Sequence, residues 1–236
     1  MSLGKRLIST DAAGASSASS FNTVIYDGDG GTKAITGVGF EPSFVWLKAR
    51  DNGTNNHLWT DSIRGVGVTS SVIGSNLRSV TNFNFGHISA FGSDGFTVAQ
   101  GSSSGNYVNS SIAKYVAYCW YAPTSESIGA SGSRIASTVK KNVAAGFSIV
   151  KYEGTGVSAT VGHGLTQPPE LIIAKNLDTA GGSGTYDGWP VYASAIGNDH
   201  LLNLSSTAPK ASTGGTWDST TPTSPVFSVK DNVDNN

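Results

Sequence analysis

Residues 21–48 read FNTVIYDGDGGTKAITGVGFEPSFVWLK, and residues 147–175 read FSIVKYEGTGVSATVGHGLTQPPELIIAK. Phe21 matches Phe147, Tyr26 matches Tyr152, Gly28 matches Gly154 and Gly30 matches Gly156, each 126 residues apart. Gly37 and Gly39 match Gly162 and Gly164 at 125, and Pro42 and Lys48 match Pro169 and Lys175 at 127. Residue types that keep their order while the offset drifts by one are the mark of duplication followed by loop insertions, and such a repeat governs every finer reading.

The match continues outward. WPVYASAIG answers HLWTDSIRG, with Ser62 and Ser194 at 132, and PVFSV answers GFTV, with Phe96 and Phe227 at 131. FNTVIY and FSIVKY alternate and are rich in β-branched and aromatic residues, which predicts strands. DGDGG and EGTG predict turns, SFVWLKAR is the strongest strand, and KYVAYCWYA predicts an apolar central strand. Many short strands without helical periodicity predict an all-β chain: two tandem β-sandwich units, jelly-roll or lectin-like, behind an extended N-terminal arm. The expected divisions are 1–20 for an anchor and tether, 21–120 for unit one, 121–133 for a linker and 134–236 for unit two. Nothing in unit two answers residues 115–120. A sandwich without its closing strand leaves an apolar edge open, so the polypeptide is expected to continue beyond Asn236 or a neighbouring chain to supply the strand.

Composition narrows the function. Only 13% of the 236 residues are charged and the net charge is −1. A nucleic-acid binder needs clustered Lys and Arg, and none is expected as a partner. The single cysteine, Cys119, allows neither an intrachain disulfide framework nor a Cys-based zinc site. MSLGKRLIST lacks the apolar run of a secretory signal, and no stretch approaches the roughly 20 apolar residues of a membrane helix. Residues 11–20 are almost all Ala, Ser and Gly, which suits a flexible tether. Ahead of them, Leu3, Lys5, Arg6, Leu7 and Ile8 read as an anchor that docks into a partner.

Catalytic and metal signals are weak. Asp27-Gly28-Asp29-Gly30 has the oxygen richness of a calcium loop but lacks the further ligands, and its counterpart is Glu153-Gly154-Thr155-Gly156. It reads as a glycine-driven turn, and no metal or cofactor is expected. His57, Trp59, Asp61 and Arg64 form a dense polar group, which unit two replaces with Trp189, Val191, Ala193 and Ile196. It is either a site private to unit one or an edge strand with a solvated face. His163, between two glycines, reads as a turn residue. There is no GxSxG elbow, Cys119 lies in an apolar run, and no enzymatic activity is expected. Trp59, Tyr107, Tyr186, Trp189 and Trp217 fall in or beside loops rich in Asn, Asp, Gly and Ser. Such residues either cap the cores or form platforms for neutral polar ligands such as glycans.

The pattern GFEPSFVWLKARD…HLWTDSIRG…FGSDGFTV…YVAYCW, followed by AGFSIVKYEGTG…VGHGL…PPELIIAKN…TSPVFSV, resembles a tandem-repeat β-sandwich domain of tailed-bacteriophage virion proteins of the marine and cyanophage type. MSLGKRLI is similar to the start of fibre-like and appendage proteins of such phages. The resemblance implies a virion structural protein without catalytic residues, a tail fibre or appendage chain. Such a chain attaches to other virion proteins by its N-terminus, self-associates as a trimer and presents its sandwiches for host-surface glycan recognition. It also implies a YVAYCW-like strand finishing the second unit, which this chain lacks. The alternatives are a capsid decoration or cement protein and, third, a polysaccharide-degrading depolymerase.

Overall fold

Side-chain alternation sets the first strand. In β1 (Phe21–Asp27), Asn22, Val24 and Tyr26 turn toward the interior and Phe21, Thr23, Ile25 and Asp27 turn out. The chain continues through β2 (Lys33–Thr36), β3 (Phe44–Ala49), β4 (Leu58–Asp61), β5 (Ile73–Gly74), β6 (His87–Gly92), β7 (Gly95–Ala99) and β8 (Lys114–Trp120). These make a five-stranded sheet in the order β1-β8-β3-β4-β5 and a three-stranded sheet in the order β2-β7-β6. Period-two burial puts Val45 and Leu47 of β3 and Tyr115, Ala117 and Cys119 of β8 on one side of the core, all fully buried. Ile35, Ile88, Phe96 and Val98 of the smaller sheet meet them from the other side, the packing expected of two sheets face to face. This computed structural model describes residues 20–51, 53, 55–67, 73–75, 83–104, 107–177, 188–212 and 216–230. The anchor residues Leu3, Lys5, Arg6, Leu7 and Ile8, and Tyr186, lie outside the described residues.

The second half contains β9 (Thr124–Ile128), β10 (Arg134–Ile135), β11 (Ser137–Asn142), β12 (Phe147–Tyr152), β13 (Ala159–Gly162), β14 (Leu171–Ile173), β15 (Pro190–Ala193), β16 (His200–Asn203), β17 (Ala211–Ser212) and β18 (Val226–Val229). The sheets run β12-β11-β9, β10-β13-β18 and β14-β15-β16-β17. Apart from a short 3-10 turn at Phe83–Phe85, regular structure among the described residues is all strand, of the β-sandwich class. Matching sequences pair in matching registers. Ile35 lies opposite Phe96 as Val161 lies opposite Phe227, Val45 opposite Thr60 as Ile172 opposite Tyr192, and Trp59 opposite Ile73 as Val191 opposite Leu202.

One expectation needs correction. Residues 121–133, expected as a linker, contain β9, which pairs with β11 over five residues from Thr124 to Ile128. A polar Thr-Ser-Glu-Ser segment can serve as an exposed edge strand, because main-chain hydrogen bonds rather than apolar burial hold it there. Beside β12, the strand that answers β1, the position of β8 is filled by another element. β8 faces the inward residues of β1: Val24 pairs with Ala117 and Tyr26 with Tyr115. The flanking bonds, Tyr121 N–H to Ser20 O at 3.0 Å and Gly28 N–H to Ala113 O at 2.9 Å, make these the hydrogen-bonded pairs. In the second half, Val150 pairs with Val139 and Tyr152 with Ser137. Gly146 N–H to Val143 O at 3.2 Å gives those pairs the same parity. β11 therefore stands beside β12 as β8 stands beside β1, although it comes earlier in the chain. β8 also pairs with β3, whereas β14 pairs only with β15 among the described strands.

The halves meet through aromatic residues. Trp59 and Ile73 cluster with Trp189, joined by Phe44, Trp46, Ile173, Leu177 and Leu204. Phe147 lies 6.3 Å from Phe44 and 6.0 Å from Trp120, ring centre to ring centre. The outer face of the five-stranded sheet is thus covered at its β4 side by the second half.

Candidate ligand-binding face

The uncovered part of that outer face is the most distinctive surface of the molecule. Outward positions of β1, β8 and β3 carry Phe21, Val116, Tyr118, Trp120, Trp46 and Lys48, and with His57 they line a shallow depression of about 410 Å³. Strand alternation fixes their direction, since Tyr115, Ala117, Cys119, Val45 and Leu47 take the inward positions between them. Phe21 is 44% exposed. Its ring stacks on Tyr118 at 6.5 Å and 13° and lies 4.8 Å from Trp120. Trp46 sits 5.8 Å from Tyr118 and 5.7 Å from His57. The polar edge is fixed as well. Trp46 Nε1 donates to His57 Nδ1 at 2.9 Å, so this nitrogen must carry no proton. Burial, with a smaller effect from the Lys48 charge, holds the His57 pKa below its ordinary value, which keeps the acceptor form at neutral pH. Lys48 Nζ donates to Asn55 O at 2.7 Å, and burial lowers its pKa.

A second depression of about 330 Å³ adjoins it along the same strands, lined by Ile25, Tyr26, Asp27, Arg50 and Lys114. There Lys114 Nζ lies 3.3 Å from Asp27 in an exposed pair. Apolar rings beside fixed polar groups suit the flat, amphipathic faces of pyranose rings and peptide aromatic groups.

The residues expected as platforms are placed differently. Trp59 is 9% exposed and packs edge-on against Trp189 at 4.8 Å. Trp189 is 2% exposed, and Trp217 is 1% exposed beneath Tyr192. A platform must be open to its ligand, so these three are corrected to core and joint residues. Tyr107 is half-buried against Phe85 at 4.9 Å, and its hydroxyl accepts from Asn56 Nδ2 at 2.8 Å. Phe21, Trp46, Tyr118 and Trp120 had a readable signal, the odd-even alternation of FVWLK and YVAYCW. Reading the second of these as an apolar central strand hid it.

The other polar features serve the fold. The Asp29 carboxylate accepts from Gly31 N–H at 2.9 Å and Asn109 Nδ2 at 2.7 Å, which lowers its pKa. A Cβ on Gly28 would meet Ser110 O at 2.0 Å, so this turn needs glycine to carry the chain across from one sheet to the other. Asp61 is 5% exposed and pairs with Arg64, while accepting from the N–H groups of Ile63 and Arg64. This is a buried ion pair closing the turn after β4, not a solvated edge. Burial pushes the Cys119 thiol up to about 12, which keeps it unreactive. Among the described residues no three His, Cys, Asp or Glu side chains gather to hold a metal ion, and no helix is long and apolar enough to cross a membrane.

No curated protein and no solved structure matches the chain. A family model described as a domain of unknown function, DUF7483, matches residues 16–236, so both halves of the repeat lie within it and the chain belongs to the DUF7483 family.

Proposed function

We propose that the chain is a structural protein of a phage virion, a tail-fibre or appendage chain that meets host-surface glycan with the open aromatic face of its first sandwich. The particle comes from the resemblance carried by the repeated motifs. The contact chemistry comes from the face: Phe21, Trp46, Tyr118 and Trp120 lie side by side around a shallow depression with a polar rim. Leu3, Lys5, Arg6, Leu7 and Ile8 attach the chain to its particle partners, and the chain self-associates there.

The full chain is titrated with host envelope polysaccharide while tryptophan fluorescence is followed. Binding should shift the emission, and Tyr118→Ser and Trp46→Ala should each weaken it about tenfold, the loss of roughly one stacking contact. Equal binding by wild type and both variants refutes the face as the site. Gold labelling on intact particles tests the setting: label on the tail or its projections supports the reading, and label spread evenly over the capsid replaces it with decoration. Deleting residues 1–10 should abolish incorporation, and normal incorporation refutes the anchor.

A further inference from the structure

Resting on the glycan reading of the open face, we propose that its ligand is acidic: a saccharide chain whose rings stack on Trp46 and Tyr118 while its carboxylate groups meet Lys48, Arg50 and Lys114. Strand register orders the face. Trp46 lies opposite Tyr118 and Lys48 opposite Val116, while Ile25 lies opposite Val116 and Asp27 opposite Lys114. Arg50 N–H donates to Lys114 O at 2.6 Å. Arg50 therefore extends the outward series of Trp46 and Lys48 one step past β3, with Ala49 buried on the inner side. The rings occupy one end of the three strands and the charged groups the other. Tyr118 to Lys114 is about 13 Å along β8 at the usual strand rise. That is further than one sugar ring reaches, so the occupant is a chain of sugars.

The charges at that end do not balance. Lys48, Arg50 and Lys114 line the two depressions against one carboxylate, Asp27, on a chain whose net charge is −1. Lys114 Nζ meets Asp27 at 3.3 Å with both side chains more than half exposed, and an exposed pair of this kind is weak enough to give way to a ligand. Asp51 lines neither depression, and both its carboxylate oxygens accept from the Lys114 main-chain N–H at 3.0 Å. Arg50 is exposed and makes no ion pair among the described residues. Lys48 is half-buried, and the burial that lowers its pKa makes an anion beside it favourable. His57 adds no charge at neutral pH, because its Nδ1 accepts from Trp46.

Sugar acids suit both ends of the face. The C–H side of the ring lies on indole or phenol, the carboxylate takes the planar guanidinium of Arg50 in a two-point contact, and Asp27 accepts from ring hydroxyls. Asp27 also argues against a plain polyanion. A nucleic acid is charged at every phosphate and needs clustered Lys and Arg. Three cations spread around a carboxylate suit charges spaced along hydroxyl-rich rings instead.

Host envelope polysaccharide is compared with the same polymer after carbodiimide and borohydride treatment, which turns each carboxylate into a primary alcohol and leaves the rings in place. Both are titrated into the full chain at low salt while tryptophan fluorescence is followed. The native polymer should bind about tenfold or more tighter than the reduced one, and about 0.5 M salt should close the gap, as expected of exposed charges. Arg50→Gln, at an exposed position, should weaken binding of the native polymer about fivefold or more and leave the reduced polymer unaffected. Trp46→Ala should weaken both. Equal binding of the two polymers overturns the acidic ligand and leaves the glycan reading of the face standing, whereas binding of neither overturns both. Dextran sulfate bound as tightly as the native polymer, with the same loss in Arg50→Gln, overturns carboxylate recognition by showing that any polyanion serves.

Discussion

His163 is buried at 2% exposure and fixed at both ring nitrogens. Nε2 contacts Thr223 O at 2.9 Å and so carries the proton, while Nδ1 accepts from Leu165 N–H at 3.2 Å. The folded site suits the neutral ring, and burial holds the pKa below the ordinary 6.5. The unfolded chain therefore takes up the proton first. Stability is full above the ordinary value and falls as pH drops below it, until the folded ring itself titrates. The urea midpoint should be lower at pH 5 than at pH 8. His163→Val, which installs the residue type that Val38 supplies in the first half, should lower the midpoint at pH 8 and shrink the difference between the two pH values. His57 and His87 are shifted the same way, so part of the slope should persist; a slope undiminished in the variant would remove His163 from the account. Gly95 carries a different constraint. Its φ is 153°, and a Cβ there would sit 1.9 Å from Ile35 O of the paired strand. Gly95→Ala has to displace main chain where the central strand β7 enters its sheet, and chemical denaturation should show a loss of about 3 kcal/mol or more. A loss under about 1 kcal/mol would mean that β2 and β7 separate easily.

At the scale of the strand, β11 is the element on which the second half depends. Val139 is fully buried, with Val150 opposite it on one side and Glu126 on the other. Val139→Ala should cost about 2 kcal/mol through lost burial and the cavity left behind. Ser127→Ala on the exposed edge strand β9 should cost less than about 0.5 kcal/mol. Comparable losses at the two positions, measured by denaturant unfolding, would contradict the assignment of β11 to the closing place. The sequence made the strands of the repeat legible because alternation, glycine turns and β-branched residues act locally, and FNTVIY, SFVWLK and KYVAYCW all form the strands expected of them. Which strand would close the second half was not legible, because β11 and β8 share position but not sequence: STVKKN stands where KYVAYCW would. The binding face was half legible. FVWLK and YVAYCW contain its rings, but a strand sequence shows which residues alternate and not whether a second layer covers the outer set. Trp59 is covered and Tyr118 is not because of how the halves pack, a contact between residues more than 100 positions apart.

At the scale of the molecule, that packing decides whether the two halves behave as one body. Trp59 and Trp189 meet edge to face at 4.8 Å, inside a cluster fed from β3, β4 and β5 on one side and from β14 and the segments flanking β15 and β16 on the other. Aromatic pairs of this geometry contribute about 0.5–1.5 kcal/mol beyond the area they bury, and burying two indoles contributes more. Neither half can expose this surface without loss, so the wild-type chain should unfold in a single calorimetric transition. Trp189→Ala leaves a cavity at the joint and should cost about 3–5 kcal/mol. Because the loss falls on the contact between halves more than on either core, the transition should split in two. Trp59 would become hydrated, and tryptophan emission should shift to the red before the first transition. The open face offers an independent readout, since Phe44 and Trp120 join the covered end of the aromatic face to the rings that line the depression. Loosening the joint should weaken glycan binding, while Trp217→Phe, deep in the second core and away from the joint, should leave it unchanged. A single sharp transition in Trp189→Ala with less than about 1 kcal/mol lost would show instead that the aromatic joint does not carry the contact between the halves.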